Sequence, residues 1–129
     1  GVDAPVFYDT DITDAVGKLP DGVVHVRKTA RPGEIGNVFI LGHSSGYRWQ
    51  SGQYNQVFAL LDKLTIGDQI YVNNTGRTFT YRVTHREVVS PFAVEALNQP
   101  TDLHQLTLMT CTPIGTTLNR LLVHAELVT

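Results

Sequence analysis

One cysteine and one arginine stand at the facing ends of two strand-like segments. Cys111 ends the segment QLTLMTC (105–111), and Arg120 lies at the start of the segment NRLLVHAELV (119–128). If these strands are antiparallel neighbours, the loop between them brings both residues to one end of a sheet. The thiolate is the reactive form of cysteine, a nearby cation favours it, and a guanidinium can donate to a developing oxyanion. The spacing therefore favours acyl transfer through a cysteine nucleophile.

The alternation of residues along the last predicted strand places Arg120 on the face that points away from the core. Alternate residues form an unbroken apolar face, which predicts core: Leu121, Val123, Ala125 and Leu127. Arg120 and His124 lie on the other face. The simpler alternative is that Cys111 is a small buried hydrophobe, the commonest role of a lone cysteine. Its place before Pro113 and Gly115, at a strand end, favours a site, because loops after strands often carry function.

Cysteine acyl chemistry also needs a group that moves protons, normally a histidine. The chain has five histidines: His25, His43, His85, His104 and His124. His43 directly follows the apolar run NVFIL and opens a glycine-containing loop, so it is slightly favoured over His104, which lies in a polar loop. His124 shares the Arg120 face but lies about 13 Å further along the strand.

The same histidine falls within GHSSG (42–46), which fits the G-x-S-x-G pattern of a serine-hydrolase nucleophile elbow. Under that alternative Ser44 is the nucleophile, with Asp102 and His124 as its partners. An elbow needs a helix directly after the serine, but the residues that follow contain two glycines and no apolar helical period. The pattern therefore favours His43 over Ser44, which is expected in a turn.

The composition limits the classes of protein to which the chain can belong. A chain of 129 residues that is 42% hydrophobic and 17% charged is expected to fold as one domain. The formal net charge of −2 argues against nucleic-acid binding. One cysteine excludes an internal disulfide and a cysteine-cluster zinc site, and no metal or cofactor is expected. The chain starts at Gly1 and contains no membrane-spanning apolar stretch, and a trimmed or processed product is expected, so a missing anchor here does not show that the native protein lacks one.

Local patterns predict a mainly β chain with one clear helix. The predicted strands cover 23–28, 37–42, 105–111 and 119–128, with a hairpin over 68–89. A helix is predicted over 55–64 from apolar residues at helical spacing, and one or two helical turns over 91–98. Residues 1–22 are expected to form a loosely structured lead-in, with one short helix near 11–16. Short connections favour a mostly antiparallel, closed or nearly closed barrel.

Together these segments resemble the sortases, the cysteine transpeptidases of the bacterial cell surface. The resembling segments are GNVFILGHSS (36–45), LDKLTIGDQIYV (61–72), TYRV (80–83) and LTLMTCTPIGTTLNRLLVHAEL (106–127). The family's T-L-x-T-C motif is matched by residues 107–111. The resemblance covers roughly residues 22–128, and the block from the cysteine to the arginine is its most specific part. That block leans toward the pilin-type (class C) sortases or a related class.

The resemblance implies an architecture and a set of partners. Residues 23–129 would form a closed, eight-stranded sortase β-barrel with one or two short peripheral helices, after the lead-in at 1–22. The partners would be surface proteins or pilins that carry a sorting signal, and an amine acceptor from a peptidoglycan precursor or a pilin lysine. No cofactor is implied. The enzyme would act at the outer face of the bacterial plasma membrane, held by a transmembrane anchor outside this sequence.

The resemblance also implies a role for each site residue. Cys111 would attack the threonine carbonyl of an LPXTG-like signal, and Arg120 would hold the substrate and stabilise the oxyanion. His43 would protonate the leaving amine and deprotonate the incoming one. Thr110 and Ser44 are the predicted substrate-binding residues, although many sortases carry arginine where Ser44 stands. A peptidase that hydrolyses without transfer and a non-catalytic β-barrel binding module are the alternatives.

Overall fold

The computed structural model describes residues 5–11, 22–42, 64–90, 102–112 and 119–128. Within these ranges lie the strands β1 (Val6–Thr10), β2 (Val23–Val26), β3 (Gly36–Leu41), β4 (Gln69–Asn74), β5 (Arg77–Val89), β6 (His104–Thr112) and β7 (Asn119–Leu127). They form one seven-stranded sheet in the order β1-β2-β3-β6-β7-β5-β4. The predicted mainly β class is confirmed.

The predicted hairpin is present as β4 and β5. Its two-residue turn consists of Thr75 and Gly76, with positive φ values of 53° and 78°. Positive φ at both turn residues matches the right-handed twist of the flanking strands. The helix predicted over 91–98 lies outside the described residues, as do all but the last residue of the one over 55–64 and all but the first of the one near 11–16. Among the residues that are described, no helix is long and apolar enough to cross a membrane.

The sheet is mixed, and its parallel pairs join strands that are distant in sequence or separated by a crossover. Strands β2–β3, β4–β5 and β6–β7 pair antiparallel, as their short connections predicted. Strands β5 and β7 also pair antiparallel, although β6 lies between them in the chain. Strands β1–β2 and β3–β6 pair parallel. The β3–β6 pair is the larger departure, because it places β3 in the interior of the sheet and directly beside the cysteine strand.

Strand β1 differs from the expectation of a loosely structured lead-in. It pairs in parallel with β2, and Val6 stands opposite Val23. The segment VFYDT contains residues that favour strands, but it is only five residues long and lies in a stretch with prolines, glycines and aspartates. Pairing with β2 decides that it is a strand. The domain boundary placed at residue 22 stays a prediction.

Apolar residues cover both faces of the central strands. The first cluster contains the predicted core residues of β7, Leu121, Val123 and Ala125, with Leu127 packed against it. The second cluster contains Val24, Val26, Phe39, Leu41 and Leu122. Strand β3 contributes alternate residues to each cluster. This explains why NVFIL is a continuous apolar run, since a strand buried on both faces has no polar face to alternate with.

Contacts between non-neighbouring strands curl the sheet into a half-barrel. The Tyr8 hydroxyl of β1 donates to the Asn73 carbonyl of β4 at 2.8 Å, although these strands are the two edges of the sheet. The N–H of Gly33 donates to the Tyr81 hydroxyl at 2.9 Å. A Cβ at Gly33 would lie 2.4 Å from the Phe79 ring, and φ there is 88°, so glycine is required. The described residues contain seven strands of this barrel-like fold, whereas the resemblance implies eight.

His25 of β2 is a buried histidine whose hydrogen bonds are satisfied. This residue is only 1% exposed to solvent. Nδ1 accepts from the N–H of Asp9 at 3.0 Å, so the ring proton lies on Nε2, which donates to the carbonyl of Ala30 at 2.8 Å. Burial is the main cause that lowers the pKa of His25 below its ordinary value of 6.5. The neutral ring therefore joins β1, β2 and the following loop.

We predict that acidification destabilises the fold through His25. The unfolded chain takes up a proton near pH 6.5, whereas the folded ring resists protonation until a lower pH. The free energy of unfolding should therefore fall as the pH drops below about 6.5, and the loss should be complete below the folded pKa. NMR titration of the His25 ring measures the folded pKa, and urea unfolding measures stability on both sides of that range. A His25 pKa at or above 6.5 would contradict this explanation.

Candidate active site

Strands β6 and β7 form a long antiparallel ladder that ends where Thr112 stands opposite Asn119. One pair before that end, Cys111 stands directly opposite Arg120. Opposed residues of an antiparallel pair are neighbours on one face of a sheet, with roughly 5 Å between their Cβ atoms. The predicted adjacency of the cysteine and arginine positions is therefore confirmed at the level of the backbone register.

Strand β3 lies on the other side of β6 and runs parallel to it, as far as Leu41 opposite Met109. The N–H of Gly42 continues this ladder by donating to the Met109 carbonyl at 3.1 Å. Because parallel strands have their carboxyl ends at the same edge, the chain leaves β3 at the edge that carries the cysteine. His43 and Ser44 are the next residues, and both lie outside the described ranges.

Arg120 lies between two strands that hold its position. Val89 of β5 stands opposite it on one side, and Cys111 of β6 on the other. The side chain is partly buried, and Nη1 donates to the carbonyl of Asn119 at 3.2 Å. A guanidinium is always charged and presents its N–H groups in a planar fork, which suits a carboxylate or a developing oxyanion.

Thr110, a predicted substrate-binding residue, lies on the core side of β6. It stands opposite Leu121 of the first cluster and is 4% exposed. Strand alternation puts this face opposite to the Arg120 face. Within the part of the chain that the structure describes, the buried Thr110 hydroxyl has no hydrogen-bonding partner. An unsatisfied buried hydroxyl costs about 1–3 kcal/mol.

His104, the runner-up as proton shuttle, opens β6 at the end opposite to Cys111. The separation is 111 − 104 = 7 residues, or about 23 Å along a strand. Its Nδ1 contacts the carbonyl of Gly33 at 3.1 Å. His25 is buried with both ring nitrogens engaged. Neither residue can exchange a proton with a group at the cysteine end, which leaves His43 as the better candidate.

A series of hydrogen-bonded polar side chains, here called the polar chain, crosses neighbouring strands of the sheet and was not predicted from the sequence. The hydroxyl of Thr107 donates to Asn37 Oδ1 at 2.8 Å and lies 3.0 Å from His124 Nδ1. Nε2 of His124 lies 3.0 Å from Glu87 Oε2. The only sequence signal for these contacts was that otherwise apolar strands each contain a polar residue. Since both nitrogens of His124 face these groups, the pairing with Asp102 that a serine-hydrolase triad needs gains no support.

Comparison with known proteins decides the family. A family model described as the sortase domain matches residues 1–128. The chain belongs to the sortase family. The Cys111–Arg120 register and the curled mixed sheet described above are therefore features of a sortase domain.

Relatives of known structure support this assignment across nearly the whole chain. Sortase C-1 of Actinomyces oris superposes with a TM-score of 0.82 at 32% identity, covering 98% of this chain and 67% of that one. The sortase D5 transpeptidase of Clostridium perfringens has a TM-score of 0.77 at 31% identity, covering 96% of this chain and 70% of that one. Because sortases of more than one class match, the comparisons show the family and not a subclass.

A curated relative matches at similar identity but is a longer protein. Sortase A of Streptococcus agalactiae serotype III (strain NEM316) is 29% identical over 132 residues, which cover 95% of this chain and 53% of that protein. The present chain thus spans about half the length of this relative.

We predict opposite effects of removing the two buried hydroxyls of β6. Thr110→Val should leave the free energy of unfolding unchanged or raise it by up to about 1 kcal/mol, because it removes a hydroxyl without a partner. Thr107→Val should lower it by about 1–3 kcal/mol, because Asn37 and His124 lose a shared partner. Urea denaturation of both variants measures the difference. Equal destabilisation by the two substitutions would be the contrary result.

Proposed function

We propose that this sortase domain is a cysteine transpeptidase whose catalytic residues are His43, Cys111 and Arg120. The observation that carries the proposal is the β6–β7 register, in which the only cysteine of the chain stands opposite Arg120. Membership of the sortase family supports the same reaction class. Neither Asn119 nor Val89, the other backbone neighbours of Arg120, offers a nucleophile, so Cys111 is the reactive partner.

In the first step, the thiolate of Cys111 attacks the carbonyl carbon of the threonine in an LPXTG-like sorting signal. Arg120 donates to the oxyanion that develops on the carbonyl oxygen. The carbon–nitrogen bond then breaks, and His43 gives its proton to the leaving amine. The product is a thioester between Cys111 and the threonine carbonyl, and the remainder of the sorting signal leaves with a free amine.

In the second step, an amine acceptor attacks the thioester. His43 removes the proton from the attacking nitrogen, the carbon–sulfur bond breaks, and the thiolate of Cys111 is restored. The acceptor is an amine of a peptidoglycan precursor or a pilin lysine. The donors are surface proteins or pilins that carry the signal, and the reaction takes place at the bacterial cell surface. The pilin-type class is the favoured subclass.

The backbone register of β3 supports the role of His43. Leu41 pairs with Met109, an offset of 109 − 41 = 68 residues, and the sequence separation of His43 and Cys111 is also 111 − 43 = 68. The ladder that brings Gly42 to Met109 thus leads the chain toward the cysteine end of the sheet. Ser44 and Thr110 remain the proposed substrate-binding residues, each next to a catalytic residue in sequence, although the hydroxyl of Thr110 is buried on the core side of β6.

We predict that Cys111→Ala abolishes formation of an acyl adduct with a sorting-signal peptide, because alanine has no nucleophile. Mass spectrometry of the protein incubated with a small library of such peptides and amines measures the adduct, the preferred signal and the acceptor. Ser44→Ala tests the serine-nucleophile alternative and should still form the adduct, at a lower rate, because Ser44 is proposed to bind the substrate and not to attack it. Loss of activity in Ser44→Ala with retention in Cys111→Ala would instead support a serine nucleophile.

The same experiment separates transfer from hydrolysis. Both reactions use one acyl intermediate, so only the product distinguishes them. A peptide–amine conjugate that increases with amine concentration supports the transpeptidase, whereas free carboxylate alone supports a peptidase. The absence of any adduct in the unmodified protein, across the whole library, would favour a non-catalytic binding module.

We predict that Arg120→Lys lowers kcat/KM by at least about ten-fold, because lysine offers a point charge without the planar fork of N–H donors. Arg82→Lys is the matched control, since Arg82 lies exposed on β5 opposite Glu126 and away from the cysteine end. The rate of transfer to a fixed amine measures both variants. Wild-type kinetics in Arg120→Lys would remove this residue from the mechanism.

A further inference from the structure

Three side chains of the kind that bind metal ions converge on β5 and β7, outside the proposed active site. His85, Glu87 and His124 offer ligand atoms that all lie within 4.8 Å of one another. His85 stands opposite His124 in the ladder, and their rings stack with centroids 4.4 Å apart. Glu87 Oε2 lies 3.0 Å from His124 Nε2 and 3.7 Å from His85 Nε2.

Two threonine hydroxyls lie beside the histidine rings. The Thr84 hydroxyl donates to the His124 carbonyl at 3.2 Å and also lies 3.2 Å from His85 Nδ1. The Thr107 hydroxyl donates to a carboxamide oxygen of β3 and lies 3.0 Å from His124 Nδ1. Each Nδ1 atom therefore has a hydroxyl neighbour, and the two Nε2 atoms are the ring nitrogens that lie near the Glu87 carboxylate.

Two ring nitrogens and a carboxylate that face one another are a donor set for a metal ion. A hydrogen bond or ion pair between His124 and Glu87, without a metal, is the alternative. Bonds of about 2.0–2.2 Å in tetrahedral geometry hold ligand atoms roughly 3.3 Å apart, which lies between the two measured separations of 3.0 Å and 3.7 Å.

We infer that His85, Glu87 and His124 form a binding site for a divalent transition metal, with Zn²⁺ the best match to two imidazoles and one carboxylate. Zn²⁺ commonly takes this donor set with a fourth position open. Thr84 and Thr107 orient the rings through Nδ1, as outer groups do in established zinc sites. The side chains of His85 and Glu87 are 53% and 44% exposed, so the ion can enter, while His124 at 12% anchors the site in the sheet.

A metal ion at this location would affect the pairing of two strands of the sheet. The ion would bridge β5 and β7 next to the irregularity in their ladder between Val83 and His85. His124 lies on the Arg120 face, 124 − 120 = 4 residues from Arg120, or about 13 Å along β7. Because the metal would bind the folded ladder and not the unfolded chain, binding should stabilise the pairing of the strand that carries Arg120.

Calorimetric titration with Zn²⁺ tests the inference, using the Cys111→Ala chain so that the thiol cannot bind the metal. One equivalent should bind and raise Tm. Glu87→Gln and His85→Ala in that chain should each weaken binding at least about ten-fold, since loss of a ligand costs no less than loss of an outer partner. Glu126→Gln is the matched control, because Glu126 is an exposed carboxylate of β7 outside the cluster. Its affinity should equal that of the parent.

NMR of the histidine rings locates the bound ion independently. Zn²⁺ should perturb the His85 and His124 resonances and leave those of His25 and His104 unchanged. Equal affinity in the Glu87→Gln and Glu126→Gln chains, or perturbation centred on other histidines, would overturn the site. Failure to bind one equivalent would also overturn it and identify the cluster as a His124–Glu87 ion pair.

Discussion

Every residue of β3 from Gly36 to Leu41 pairs with β6, and the ladder runs parallel in the middle of the sheet. Both strands are buried, so their backbone N–H and C=O groups must find partners within the protein. A slip of one residue would exchange the two faces of β3 and place Val38 and Ile40 in the wrong cluster. The register is therefore specified by packing on both faces. Its consequence is that the carboxyl ends of β3 and β6 share one edge.

The second ladder of β6, with β7, brings charge to that edge. Leu121 belongs to the first cluster and Leu122 to the second, so β7 is also fixed by burial on two faces. With this register set, Arg120 stands opposite Cys111 and cannot stand opposite a neighbouring residue. The hydrophobic contacts that stabilise the sheet thus also position the groups proposed to react.

Polar groups enter this apolar framework at a few matched positions. Asn37, Thr107 and His124 occupy neighbouring strands and form one connected hydrogen-bonded chain. A buried polar group without a partner is costly, so these residues are compatible with one register only. The hydrogen-bonded side chains continue to Glu87 at the surface, where His85, Glu87 and His124 form the proposed metal site. The polar chain and the two apolar clusters therefore select the same strand pairing.

Some elements of the fold and of the site could be predicted from the sequence, and others could not. The β4–β5 hairpin was predicted because its turn chemistry and alternation are local. The facing positions of Cys111 and Arg120 were predicted because a short loop joins two alternating strands. Strand β1 was missed although its residues favour a strand, because it is short, lies among prolines, glycines and aspartates, and depends on pairing with β2. His43 was favoured over His104 from sequence only slightly, since nothing local placed either one near the cysteine.

The residue types, the alternation of each strand and the resemblance to the sortases are properties of the sequence alone. They predicted that a cysteine, an arginine and a histidine each lie at a strand end. Only the tertiary structure decided that β3 runs parallel beside β6, so that His104 falls at the far end from Cys111 and Gly42 at the near end. It also brought His85, Glu87 and His124 together. The physical reason is that pairing between distant strands depends on burial and backbone hydrogen bonding across the whole sheet, which no local pattern encodes.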